Sequence, residues 1–242
     1  SFDHMLDQLS DAFAAQERFA ANASHELRTP LAVTETLLDV ARRNPDGQDY
    51  GVLVERLSIT NARAIGLTDA LLRLADANAV NASSRQLDLA AIVETVVAEN
   101  RAEAAALAVT VHSDIAEATL VGDAALLLQL VGNLLQNALR HNDVRGVVEI
   151  SSRHDAATAR SVLRVENTGA EYTPGDTARL IEPFLRGEGR VSTRGAQRGY
   201  GLGLALVARI ADVHQADLVV TPRPGGGLIV TVAFAEFQGV RA

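Results

Sequence analysis

Lysine is missing from this chain: all 22 basic residues are arginine. A P-loop needs a lysine to reach terminal phosphates, and ordinary protein kinases need one on a strand, so both chemistries are excluded. Schiff-base catalysis falls for the same reason. Cysteine is absent too, which removes disulfides, thiolate nucleophiles and zinc–thiolate sites. No apolar run approaches the ~20 residues of a membrane span, and no signal peptide is visible. A net charge of −8 without any basic tract argues against general nucleic-acid binding. The opening "SFDHML" has no initiator methionine and is expected to belong to a fragment of a longer protein.

What is present is apolar periodicity. Phe2, Met5, Leu9, Ala12 and Phe19 recur in steps of three and four, with Gln16 filling one slot, as in a coiled-coil seam. Continued through Ala23, Leu27, Leu31, Thr34, Leu38 and Ala41, the seam takes several steps of four and resembles a stutter. "RRNPDGQ" (42–48) breaks the helix with Pro and Gly. A second helix then carries Leu53, Leu57, Thr60, Ala64, Leu67, Leu71 and Leu74. The expectation is an all-α helical hairpin that buries its stripe by pairing with a copy of itself, a homodimeric four-helix bundle.

"ADANAVNASSRQ" (75–86) reads as a linker. Beyond it the pattern predicts one helix over "LAAIVETVVAENRAEAAAL", short strands at "VTVHSD" and "ATLVGD", and a helix capped by Asp123. Hairpins follow at "GVVEISSRH"/"SVLRVENTG" and at "DLVVTPRPGGGLIVTVAF", with a loop-rich stretch and the helix "GLGLALVARIADVH" between them. Helices and mostly antiparallel strands in separate runs indicate an α+β two-layer sandwich.

In "ANASHELRTPL", His25 lies about 200° around the helix from the seam positions Ala23 and Leu27, so it faces solvent. Glu26 can accept a hydrogen bond from one ring nitrogen and leave the other as a nucleophile. Thr29, one turn on, shares the face of His25 and can position a water. Pro30 removes the bond to the Glu26 carbonyl and is expected to bend the helix. This stretch resembles the H-box of the sensor histidine kinases of two-component systems. The resemblance implies that His25 takes the γ-phosphoryl group of ATP. It further implies that Glu26 orients or deprotonates His25, and that Thr29 supports dephosphorylation of the partner.

On the helix from Asp123, Asn133, Asn137 and Arg140 fall within about 60° of one another, opposite Leu127, Val131, Leu134, Leu135 and Ala138. Amide oxygens can ligate a magnesium that bridges phosphates, and an arginine can pair with phosphate oxygens. Gly199, Gly201 and Gly203 lead into a helix, where bare backbone N–H groups favour phosphate. The spacing G-x-G-x-G with no preceding strand rules out a Rossmann site. "NLLQNALRHN", "EPFLRG" and "RGYGLGL" resemble the family's N, F and G2 boxes, with Phe184 as a packing residue and Arg186 as a phosphate contact. "EGRVSTRGAQR" resembles the lid that orders on nucleotide. "VENTGAEYTP" departs from the family's D-x-G-x-G. Asn167 replaces the acid that accepts from the adenine amino group, Gly169 is kept, and Glu171 stands at the second glycine. Weaker ATP binding is the expectation.

The resemblance covers nearly the whole chain and implies a GHKL (Bergerat) ATP-binding fold in the second half. It divides the chain into a HAMP-derived linker helix (1–18), a phosphotransfer hairpin (19–78), a linker (79–86) and a catalytic domain (87–242). It implies ATP and Mg2+ as cofactors, a homodimer, a response-regulator partner and membrane spans upstream of a cytoplasmic portion. "VENTG", "EPFLRG" and "TPRPGGGL" are reminiscent of an actinobacterial subgroup near the vancomycin-resistance sensors. Two rivals are a transmitter that mainly dephosphorylates its regulator and a dimeric scaffold with a vestigial ATP site. Gyrase- and Hsp90-type ATPases lack the histidine hairpin.

Overall fold

The structure, a computed structural model, describes residues 2–44, 49–79, 85–183 and 202–235. The chain divides into two compact units. The first is built on α1 (Phe2–Arg43) and most of α2 (Tyr50–Ala79). Asp49 caps α2: its carboxylate accepts from the N–H groups of Gly51 and Val52 at 2.9 and 3.1 Å, satisfying donors that a helix start leaves open.

The described part of the α2 stripe is as the periodicity predicts: Leu53, Thr60 and Leu67 are buried, and Leu57 and Ala64 are half-buried; the side chains of Leu71 and Leu74 lie outside the described residues. On α1 the positions half-covered within the single hairpin are Ala23, Leu27, Pro30, Thr34, Leu37 and Ala41, a regular alternation of four and three; the side chains of the seam positions up to Phe19 lie outside the described residues. Leu31 and Leu38, assigned from sequence to the seam between two hairpins, are 63% and 45% exposed in the single hairpin. Pro30 takes a core-facing slot and the helix is continuous through it.

The second unit begins with β1 (Arg85–Asp88), α3 (Leu89–Glu99), α4 (Arg101–Ala106), β2 (Thr110–Ile115) and β3 (Thr119–Gly122). Then come α5 (Ala124–Arg140), β4 (Val147–Asp155), β5 (Arg160–Asn167) and α6 (Pro174–Arg179). After α7 (Gly203–Val213), β6 (Asp217–Pro222) and β7 (Leu228–Ala235) close it. Two corrections follow. The stretch read as a linker carries helix to Ala79 and strand from Arg85, because Gln86 and Leu87 pair with Val121 and Leu120 of β3. The single helix read from residue 89 is two, parted at Asn100, whose side chain donates to the Val96 carbonyl at 2.8 Å and ends α3.

The main sheet runs β2-β4-β5-β7-β6, antiparallel except for the parallel β2–β4 pair. On one face Val148, Ile150, Leu163, Val165, Val230, Val232 and Phe234 are buried, the period of two expected of a half-covered sheet. The helices contribute Leu89, Val93 and Val96 from α3, Leu127, Leu130, Val131, Leu134 and Leu135 from α5, and Val207 and Ile210 from α7 to the core. Layers of this kind bury one face of each element. Two buried hydroxyls fix the approach to β3: Ser161 donates to the Thr119 carbonyl of β3 at 2.6 Å, and Ser152 donates at 3.0 Å to that of Ala116, just past β2.

The β6–β7 turn is set by Gly225, Gly226 and Gly227, with φ of 83°, 96° and 103°. A Cβ on Gly227 would lie 1.8 Å from the Asn167 carbonyl oxygen. Gly227→Ala therefore meets both a left-handed backbone and a backbone clash, and we expect it to lower stability by about 3 kcal/mol in a thermal or denaturant melt.

Candidate nucleotide and phospho-acceptor sites

His25 is exposed on α1, as its helical phase requires. The Thr29 hydroxyl donates to the His25 carbonyl at 3.1 Å, and Ser24 likewise donates to Ala20 at 2.8 Å, so both hydroxyls are tied to the helix backbone. The His25 ring makes no hydrogen bond among the described residues. The face around it borders a concavity of about 460 Å³, along which Arg28, Thr29, Ala32, Val33, Thr36 and Leu37 are also placed. Glu26 lies on the same helix one residue on; its side chain lies outside what the structure describes.

The second group sits on α5. Asp123 accepts from the N–H groups of Ala125 and Leu126 at 2.9 and 3.1 Å, which fixes where the helix begins. Leu127, Val131, Leu134, Leu135 and Ala138 are buried, which turns Asn133, Asn137 and Arg140 to the open side. Asn133 donates its Nδ2 to the Gln129 carbonyl at 2.7 Å, so its Oδ1 is the end left for a ligand. A Cβ on Gly203 would lie 3.7 Å from that Oδ1, which brings the start of α7 beside the amide. Asn137 makes no side-chain hydrogen bond among the described residues.

Arg140 differs from the expectation of a free phosphate contact. Its Nε donates to Glu103 of α4 at 3.3 Å, an ion pair with both side chains about one-third exposed. The pair spends the Nε and leaves the terminal nitrogens. Next to it His141 ends α5 and keeps much of its surface. Desolvation of the ring, and then the Arg140 charge, hold its pKa below the usual histidine value.

Asn167 and Gly169 lie where β5 leaves the sheet. Asn167 is only 5% exposed. Gly169, at φ 150°, is pressed against the end of α5: a Cβ there would lie 2.4 Å from the His141 carbonyl. The structure thus brings Asn167 and Gly169 to the end of the helix that bears Asn133, Asn137 and Arg140. Arg186, Gly199 and Gly201 lie outside the described residues, as does Phe184.

Sequence reasoning missed the clamp that holds this corner. The Thr168 hydroxyl donates to Asn142 Oδ1 at 2.5 Å and accepts from the Val147 N–H at 2.8 Å. Asn142 Nδ2 donates to the carbonyls of Ala138 and Val147, each at 3.1 Å. Gly146 has no room for a Cβ between Asn142 and Thr168. The three glycines of "RPGGGL" were the only sequence signal of close packing here.

Among the described residues no three of His, Cys, Asp and Glu are grouped to hold a metal, and no helix is long and apolar enough to cross a membrane. Residues 15–80 match the His Kinase A (phospho-acceptor) domain, and 122–238 match the histidine kinase-, DNA gyrase B- and HSP90-like ATPase domain. The sensor protein CutS of Streptomyces coelicolor is 37% identical over 234 residues, covering 96% of this chain and 56% of CutS. CzcS of Cupriavidus metallidurans is 31% identical over 226 residues, covering 90% of this chain and 45% of CzcS. The chain therefore spans about half the length of these curated relatives. The fold is similar to that of the histidine kinase ThkA in its complex with the response regulator TrrA, at TM-score 0.76 and 16% identity over 96% of this chain and 65% of that one. It is also similar to Acinetobacter baumannii AdeS, at 0.70 and 22% over 88% of this chain and 98% of that one. With the phospho-acceptor hairpin in its first half and the ATPase-type domain in its second, the chain belongs to the sensor histidine kinases of two-component systems.

Proposed function

We propose that the chain is a transmitter that phosphorylates His25 from MgATP and passes the phosphoryl group to an aspartate of a response regulator. The observation that carries this reading is the conjunction of a solvent-facing histidine on a helical hairpin with a helix turning two amides and an arginine outward beside a glycine-led helix start. Residues 1–18 act as a linker helix, 19–78 as the phosphotransfer hairpin, 79–86 as a connector and 87–242 as the catalytic domain.

In the reaction the free ring nitrogen of His25 attacks the γ-phosphorus and the bond from that phosphorus to the β–γ bridging oxygen breaks. A phosphoramidate forms and ADP leaves with the bond's electron pair. Glu26 orients the imidazole and takes up its proton. The outward amide oxygens of Asn133 and Asn137 suit a hard cation; magnesium held there would supply charge neutralisation at the phosphates. Arg140 offers its terminal nitrogens to phosphate, and Arg186 acts likewise. Gly199, Gly201 and Gly203 let backbone N–H groups reach the phosphates. Asn167 and Gly169 hold the base.

The active unit is a homodimer: Leu31 and Leu38 of α1 and Val52, Val54, Ile65 and Leu72 of α2 are exposed apolar side chains that a second hairpin would cover. The upstream part of the whole protein anchors it to a membrane, with this portion on the cytoplasmic side. Incubation with γ-labelled ATP and magnesium tests the reading, and acid-labile, alkali-stable label on the chain supports it. Thr29→Ala separates the second step. Among the described residues its hydroxyl is bonded only to a carbonyl of its own helix, so autophosphorylation should persist. Dephosphorylation of the regulator should slow about tenfold, the worth of one water-positioning hydrogen bond.

A further inference from the structure

We propose that His214 is a positioning residue for the nucleotide site. It sets how far along α5 the start of α7 lies, and so how close the backbone N–H groups that open α7 come to the amide of Asn133. This rests on the transmitter reading above. His214 touches no nucleotide; it acts through the helix it ends.

The need for it arises at the start of α5. The Asp123 carboxylate caps Ala125 and Leu126. The N–H of a cap residue itself is commonly taken by an acidic or amide side chain three residues on, but that position is Leu126. Here the acceptor comes from another helix, 91 residues on: the Asp123 N–H donates to His214 Nε2 at 3.1 Å. His214 Nδ1 lies 2.8 Å from the Ile210 carbonyl, which can only accept. The two partners therefore fix the Nδ1–H tautomer, whose one ring lone pair is aimed at α5. The ring is wedged in place as well as bonded. A Cβ on Gly122 would lie 2.6 Å from its Cδ2 and 2.7 Å from its Nε2, and buried Phe234 meets it edge to face with ring centroids 6.3 Å apart. Its own backbone N–H donates to the Ile210 and Ala211 carbonyls, each at 3.1 Å, so the side chain moves with α7.

What this bond controls lies at the other end of α7. The two helices pack against each other and run in opposite directions, since the end of α7 meets the start of α5 while Gly203, which opens α7, stands beside Asn133. From Asp123 to Asn133 is about 15 Å of α5, and from His214 back to Gly203 about 16 Å of α7. The buried faces are apolar, with Leu127, Leu130 and Leu134 on α5 and Val207 and Ile210 on α7. Apolar packing is non-directional and permits packed helices to slide by small amounts. A hydrogen bond between their ends does not. An α-helix is stiff along its axis, so a slip at His214 reappears at Gly203, where the phosphate-facing N–H groups begin.

The test uses the full chain and follows the initial rate of labelling against ATP concentration in excess magnesium, at a temperature at which melts show each variant folded. His214→Asn keeps a donor for the Ile210 carbonyl, as Asn100 and Asn133 do for the carbonyls four residues before them, and is too short to reach Asp123. Its KM for ATP should rise about tenfold while the rate at saturating ATP stays within about twofold, because the displaced N–H groups hold bound nucleotide and transition state alike. His214→Gln sets an amide oxygen near the place of Nε2 and should bring the KM back to within about twofold of the parent. Gly122→Ala pushes the ring aside without altering it and should raise the KM as His214→Asn does; if His214→Asn does not fold, this variant decides in its place. Ser161→Ala is the control: it removes a buried hydrogen bond that lies on neither helix, and should lower the melting temperature with the KM unchanged. A parent-like KM in His214→Asn or Gly122→Ala, a failure of His214→Gln to restore it, or an equal rise in Ser161→Ala overturns the proposal and leaves the transmitter reading standing. No label on the parent chain overturns the transmitter reading, and this proposal with it.

Discussion

His25→Gln abolishes phosphoryl transfer to the chain. With γ-labelled ATP and magnesium, the acid-labile, alkali-stable label should fall by at least about 10³-fold, the loss expected when a nucleophile is removed outright. Glutamine approximates the reach and polarity of the imidazole, and its amide nitrogen is not nucleophilic. The exposed ring of His25 makes no hydrogen bond among the described residues, so the substitution should leave the melting curve within about 0.5 kcal/mol of the parent. Protection by MgATP should persist, because Asn133, Asn137 and Asn167 belong to other elements. Label that survives in the variant would place the acceptor on another of the six histidines, and a variant that also loses nucleotide protection would have been misfolded rather than disarmed.

Features governed by a single element were legible in the sequence. The phase of α5 depends on one helical period and one cap, and Asp123, the buried leucines and the outward amides all follow from them. His25 was placed on the outside by the same reasoning. Features that depend on contacts between distant residues were not legible. The strand at Arg85–Asp88 has one apolar residue, Leu87, and exists because β3 pairs with it some thirty residues later. Pro30 and Leu37 line the covered side of α1 within the hairpin, which was missed because a proline is not counted as a core residue when apolar steps are followed. The Asn142–Thr168 clamp joins residues 26 apart, and the engagement of Arg140 by Glu103 spans 37. Neither leaves a periodic trace. The departure at Asn167 was visible from sequence, but the bond its Nδ2 donates to the Thr168 carbonyl was not, since no residue pattern reports a backbone atom.

Asn137→Ala is the second large effect, and its value lies in being complementary to the first. The side chain is half-exposed and makes no hydrogen bond among the described residues, while its neighbours Leu134, Leu135 and Ala138 carry the packing. Alanine is the best helix former, so α5 should keep its cap, its length and its stability. What is lost is an amide oxygen at the proposed cation and phosphate site. Autophosphorylation should drop by about 10²-fold or more, the order seen when one preorganised polar contact to a transferring group is deleted. His25 in this variant remains chemically competent, as Asn137 remains in His25→Gln. Mixing the two variants under conditions that exchange dimer subunits then has a definite reading. If the nucleotide held by one protomer phosphorylates the histidine of the other, the mixture regains label, all of it on the Asn137→Ala chain. If each protomer serves its own histidine, every chain lacks either the acceptor or the cation-binding amide, and the mixture stays dark. Label on the His25→Gln chain would contradict both outcomes and with them the assignment of His25 as acceptor.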